Sequence, residues 1–109
     1  MFGMIRRPKV VCADGFTMSV QASKTHYCDP RSDNGPYDQV EVGFPSDSDH
    51  LLMPYIEVAG EEPTRSVYPY VPLSVVESVI HNHGGLHPEL MLGVTWSQPG
   101  LPHPQYQRR

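Results

Sequence analysis

At 109 residues, with twelve prolines, nine glycines and 18% charged residues, the chain can bury one modest core, and its composition favours turns and short strands over long helices. The net charge of -4 is unevenly spread: between Asp29 and Glu62 nine carboxylates accompany a single arginine, Arg31, which excludes that stretch as a nucleic-acid surface and suits a protein partner with a basic face. No apolar run is long enough to span a bilayer and the residues after MFGMIRRPK are too few for a signal-peptide core, so a cytoplasmic protein with Cys12 and Cys28 reduced is expected.

In chain order, Lys9 to Gln21 (KVVCADGFTMSVQ) holds two alternating runs around Asp14-Gly15, a dipeptide suited to a two-residue turn with positive φ. That turn predicts a hairpin over 9–21 with Ala13 opposite Phe16 and Val11 opposite Met18. Val11, Ala13, Phe16, Met18 and Val20 then share the inner face, and Cys12 points outward. The polar segment Ser23 to Asp38 follows, too long for an idle connection in a compact domain. Residues 39–44 (QVEVGF) alternate again, with Val40, Val42 and Phe44 inward. Two further strands are expected near 51–58 and 66–71, where Pro54 and Pro69 suit edge or irregular positions.

In PLSVVESVIHNHGG, a helix over about 73–83 is predicted: Ser74 and Glu77 have capping-box spacing and Gly84 offers a left-handed stop. Leu73, Val75, Val76, Val79, Ile80 and His83 share one side, so the helix should lie across a sheet. A last strand is expected at 89–96, with one helical turn in HPELML as the alternative, and 97–109 reads as an extended proline-rich tail. The fold class is therefore α+β: a single domain over 1–96 built from a small, mainly antiparallel sheet with one amphipathic helix, followed by the tail.

No cofactor fingerprint, catalytic signature or zinc-finger spacing occurs, and neither a cofactor nor catalysis is expected. The residues that zinc would select are His26 and Cys28 with one of Cys12, His81 or His83. On a helix His81 and His83 lie about 200° apart and cannot grip one ion together. The competing role for His83 is to close the apolar face near the helix C-terminus, where positive charge is welcome. A thiol nucleophile from His26, Cys28 and Asp29 would need a third group to orient the imidazole, and a buried, inert Cys28 is the simpler reading.

The long loop carries the contact expectation. Pro30, Gly35-Pro36 and Tyr37 stiffen it, which lowers the entropy lost on docking, and tyrosine supplies contact area with a polar tip. Tyr27, Asp29, Arg31, Asp33, Tyr37 and Asp38 are the expected partner-binding residues, with Arg31 also placed to tie the loop to its own carboxylates.

The run VVCADGFTMSVQAS, followed by THYC, PR, GPY, VEVGFPS and a Val-Pro helix ending in HGG, resembles a set of small uncharacterised proteins encoded by bacteriophages, over roughly Val10 to Leu86. That resemblance carries no activity and no site residue. It implies a phage-type accessory protein working in the host cytoplasm by binding a protein surface, as inhibitors of host factors and defence systems such as anti-CRISPR proteins do. The rival readings are a zinc-stabilised module and a minor virion component that self-associates through sheet edges and tail.

Overall fold

The computed structural model describes residues 8–91, together with the backbone of 96–97 and 101–102. Four strands, β1 (Val10–Val11), β2 (Thr17–Gln21), β3 (Gln39–Gly43) and β4 (Val67–Pro72), form an antiparallel sheet in the order β1-β2-β3-β4. One helix, α1 (Leu73–Asn82), follows β4 without a loop and turns Val76, Val79 and Ile80 into the core. The architecture is the small α+β fold that the periodicities predict.

The hairpin register differs by one residue from expectation. Val10 pairs with Met18 and Val11 with Thr17, so the connection is the three-residue loop Ala13-Asp14-Gly15. The Gly15 amide bonds the Cys12 carbonyl at 3.0 Å, Gly15 takes φ +97°, and the Cys12 amide then bonds the Phe16 carbonyl at 2.8 Å. Asp-Gly serves this turn as well as the two-residue one, because both need a glycine at positive φ. A one-residue slip exchanges the faces of a strand. Val10 and Cys12 are fully buried, whereas Val11 is half-buried and Ala13 exposed.

Between β3 and β4 the pairing steps from Val40 opposite Val71 to Val42 opposite Tyr68, leaving Pro69 and Tyr70 opposite Glu41. This bulge lets Tyr68 and Val71, three residues apart, both enter the core. It leaves Tyr70 exposed at φ +55°, in the left-handed region. Phe44 is likewise not an inward strand residue: at φ +51° it turns the chain out of β3 and is exposed. The expected strand at 51–58 is absent. The Asp49 carboxylate accepts the Leu51 amide, its carbonyl accepts those of Leu52 and Met53, and Met53–Tyr55 forms a 3-10 turn containing Pro54. These local bonds compete with a ladder, and they lower Leu52 into the core.

No side chain caps the start of α1, so the expected Ser74–Glu77 capping box does not form. Pro72 has no amide to satisfy, and the Leu73 amide bonds the Asp38 carbonyl at 3.1 Å. The helix stops as predicted at Gly84, with Gly84 and Gly85 amides returning to the His81 and Ile80 carbonyls at 3.0 and 2.9 Å. A Cβ on Gly84 would sit 3.1 Å from that of Ala13, so glycine is required both by φ +91° and by the close approach of the hairpin.

The segment after the helix runs back along β1. The Ala13 amide bonds Gly85, the His87 amide bonds Val11, and Cys12 bridges Leu86, which covers that sheet edge. At the opposite edge the Tyr70 amide bonds Tyr27 and the Val67 carbonyl accepts Glu57. Edge-to-edge pairing is thus obstructed on both sides of the four-stranded sheet.

Pro88 to Met91 is a turn, with the Met91 amide on His87, so the strand expected at 89–96 does not start at Glu89; 92–95 lie outside the described residues. Trp96–Ser97 (β5) pairs antiparallel with Leu101–Pro102 (β6) where an extended tail is expected, and 103–109 lie outside the described residues. No helix among the described residues is long and apolar enough to cross a membrane.

The placement of 44–58 is testable by denaturant unfolding. Leu52→Ala should cost about 2–5 kcal/mol, as expected for a filled core site, while Phe44→Ala should leave stability within about 0.5 kcal/mol. Equal effects would contradict the turn at 49–55.

Candidate functional site: a self-bonded loop and its aromatic surface

The Ser23–Asp38 loop is held by its own polar groups. Ser23, buried, is the hub: its hydroxyl meets the Thr25 hydroxyl at 3.0 Å and His26 Nδ1 at 2.6 Å, and it accepts the Thr25 amide. Its carbonyl accepts the His26 amide and the Cys28 thiol, the latter at 3.1 Å. The Lys24 amide bonds Asp33 Oδ1, and the Tyr27 amide bonds Glu41 Oε1 on β3. The far end returns to the sheet where Asp29 bridges Gln39 and the Asp38 amide bonds Asp29. Ser, Asp and His side chains favour such local bonds over regular structure, which is why this polar stretch has a definite shape without strands.

The six expected contact residues divide. Tyr37 is in the core at 2% exposure, its hydroxyl donating to the Ser32 carbonyl, so it is a strut and not a contact residue. Asp33 is half-buried and engaged with Lys24. Tyr27, Asp29, Arg31 and Asp38 are exposed, and the Asp29 and Asp38 carboxylates have no side-chain partner among the described residues. Arg31 does tie the loop to itself, but not through carboxylates: its Nε donates to the His26 carbonyl at 2.9 Å and its guanidinium lies over the Tyr27 ring, 5.2 Å from the centroid.

Tyr70, which falls in the strand expected near 66–71, completes this surface. Its ring centroid lies 6.0 Å from that of Tyr27 with the planes tilted by 45°. Arg31, Tyr27 and Tyr70 therefore form a cation–aromatic–aromatic row in contact with solvent, bordered along the chain by Asp29. The only sequence sign of Tyr70's role is Pro69 inside a strand pattern, which marks a bulge but does not say where the next side chain will point.

The zinc and thiolate groups do not assemble. His26 and Cys28 both turn to Ser23, while His83 is at the far end of the helix. Among the described residues no three His, Cys, Asp or Glu side chains form a metal-holding group. Burial raises the Cys28 thiol, which donates to the Ser23 and Pro30 carbonyls. Cys12 is pushed up to about 11 by burial and by the charges of Asp14 and Asp49. Both are protonated thiols at neutral pH.

A second polar cluster, not foreseen as a unit, lies where the hairpin turn meets the helix end. His83 Nδ1 is 2.7 Å from Asp14 Oδ2 and its Nε2 is 2.9 Å from Asp49 Oδ2. The ring stacks on Phe16 with centroids 3.9 Å apart. His83 does face the core side of α1 near its C-terminus, as the helical spacing predicts. Its two carboxylate partners are 69 and 34 residues away in sequence, beyond the reach of a spacing argument.

No family model, curated protein or solved structure matches this chain.

Native Cys12 and Cys28 should resist a thiol-specific disulfide reagent at mildly alkaline pH and react together on unfolding. A fast-reacting thiol in the folded chain would show a thiolate that this arrangement does not provide.

Proposed function

We propose that the chain is a non-catalytic protein-binding module whose contact surface is the Arg31–Tyr27–Tyr70 row with Asp29 and Asp38 beside it. Its partner is a protein presenting basic side chains. Tyr70 carries the proposal: a tyrosine at φ +55° is strained, by of order 1–3 kcal/mol, at a position where glycine would sit without steric strain, and its side chain is partly exposed beside Tyr27. An exposed aromatic retained in a strained conformation is supported by a use outside the core.

The rest of the surface suits that use. Tyrosine offers a large rigid face, and aromatic residues with arginine are the side chains that dominate protein contacts. The loop is bonded to itself and to the sheet, so little order has to be created on docking. Asp29 and Asp38 are charges with no internal employment among the described residues, and they favour lysine or arginine on the incoming surface. The candidate nucleophiles are buried, protonated or held in turns, which favours binding over turnover. The resemblance of the sequence to small phage-encoded proteins favours a host protein as the partner, with the module acting as an inhibitor or modulator.

Tyr70→Gly separates function from fold. The variant should remain folded with stability within about 1 kcal/mol of the parent, because relief of the positive φ offsets the lost Tyr27 contact and the added chain entropy, yet it should lose the partner in cross-linked capture from host lysate read by mass spectrometry. The charge reversals Asp29→Lys and Asp38→Lys should weaken the same capture, and added salt should mimic them. Undiminished recovery of the partner by a folded Tyr70→Gly chain would refute this surface.

A further inference from the structure

The His83 cluster lies away from the proposed contact surface and is independent of it. We propose that His83 is a proton-operated latch: while its ring carries two protons it holds the Asp14 side chain and the 46–52 loop to the C-terminal end of α1, and loss of one proton releases the Asp14 carboxylate while the Asp49 arm stays and the turn remains anchored by the Ala13 and Asp14 amides on the Gly85 and His83 carbonyls.

The geometry requires two N–H groups. Each ring nitrogen faces a carboxylate oxygen at 2.7 or 2.9 Å, and because an ionised carboxylate can only accept, both contacts are hydrogen bonds at once only when the ring is an imidazolium. A neutral imidazole has one N–H and would turn a lone pair toward the other carboxylate. Which arm is given up follows from burial. Asp49 is 8% exposed, with its Oδ1 already accepting the Leu51 amide, whereas the Asp14 side chain is 51% exposed. An abandoned buried carboxylate costs far more than one that can turn to water, so the remaining proton stays on Nε2 facing Asp49. Asp14 also anchors its own turn, since its Oδ1 accepts the Phe16 amide. Release of Oδ2 is therefore transmitted to the Gly15–Phe16 backbone.

The surroundings favour the proton. From the hairpin, Asp14 and the neutral Cys12 thiol face the cluster; from the loop come Asp49 and, across the groove, Asp47; from β4 comes Tyr68, whose hydroxyl donates to Pro63 and whose pKa is raised by burial and by Asp49. On the helix the neighbouring titratable group is His81, which is exposed, and His50 beside Asp49 is exposed too. The fixed charges nearest the ring are negative. Partial burial works against the proton, but the bonds to Asp49 and Asp14 outweigh it and hold His83 above the ordinary imidazole range. Asp14 is held below the ordinary carboxylate range, first by the Phe16 amide and then by His83.

The sign of the pH dependence is fixed by these directions. A raised histidine contributes stability that is complete below its unfolded value, about 6.5, and is lost as pH rises through the folded value. The lowered Asp14 sets the acid limit, its contribution being lost only as pH falls through its depressed value. The latch is closed between those limits and opens on the alkaline side. Opening moves a free carboxylate onto a groove of about 280 Å³ lined by Asp14, Gly15, Phe16, Ser46, Asp47 and His83.

The test is an NMR titration of the full chain from mildly acid to mildly alkaline pH, following histidine ring carbons and backbone amides. His83 should titrate above the ordinary imidazole value of about 6.5, the Gly15 and Phe16 amides should shift with the His83 midpoint, and the Leu51 amide should move less. Asp14→Asn should lower the His83 midpoint and abolish the coupled shift of Gly15 and Phe16, in a fold unchanged by heteronuclear fingerprint because the side chain is half exposed. The proposal is overturned by a His83 midpoint at or below about 6.5, by Gly15 and Phe16 amides indifferent to it, by Leu51 responding in their place, or by an unaltered His83 midpoint in Asp14→Asn.

Discussion

A two-for-one mismatch between β3 and β4 sets the form of the rest of the molecule. With Pro69 and Tyr70 together opposite Glu41, β4 can send Tyr68 and Val71 to the same face, which a regular strand cannot do with residues three apart. Val71 then lies beside the helix that begins two residues later, and Pro72 makes the change from strand to helix without leaving an amide unpaired. The cost is concentrated in Tyr70, at positive φ with its ring in water. Core closure and the aromatic surface are thus two results of one irregularity.

At the other side of the sheet, closure depends on chain return after α1. Glycines 84 and 85 end the helix and let 85–87 run along β1, so the shortest strand of the four-stranded sheet is held on both sides. The His83 cluster sits at this junction and joins the hairpin turn, the helix end and the 46–52 loop through one ring. The molecule therefore has two differently built polar regions. The 23–38 loop is satisfied by short-range bonds and presents its remainder outward. The His83 junction spends its polar groups on holding distant segments together.

Much of the site could be read in the sequence, but unevenly. The loop at 23–38 is visible as a polar stretch too long to be idle, and Tyr27, Asp29, Arg31 and Asp38 are indeed exposed on it. Tyr37 could not be separated from Tyr27 by composition, since both are tyrosines in a polar context; the Ser32 carbonyl, placed by the folded loop, accepts the Tyr37 hydroxyl and lets the ring enter the core. Tyr70 was concealed by its setting in VYPYVP, where its exposure depends on a bulge fixed by β3. The Asp14–His83–Asp49 cluster had no local signature, because its members are brought together by tertiary packing alone.

Local periodicity and local chemistry determine the element types: alternation in 17–21 and 39–43, the helical spacing of Val76, Val79 and Ile80, and the glycine stop at 84 all follow from which side chains must leave water and which backbone angles a residue tolerates. Register is another matter. The Asp-Gly turn accommodates two loop lengths, and the choice that buries Val10 and Cys12 in place of Val11 and Ala13 is made by contacts with the helix end and the 85–87 segment. The same holds for the turn at 49–55, where Asp49 bonds His83 and nearby amides in place of a strand ladder. A sequence window records which faces are apolar; a one-residue shift is decided by partners far along the chain, whose bonds enter the free energy only once the fold has brought them within reach.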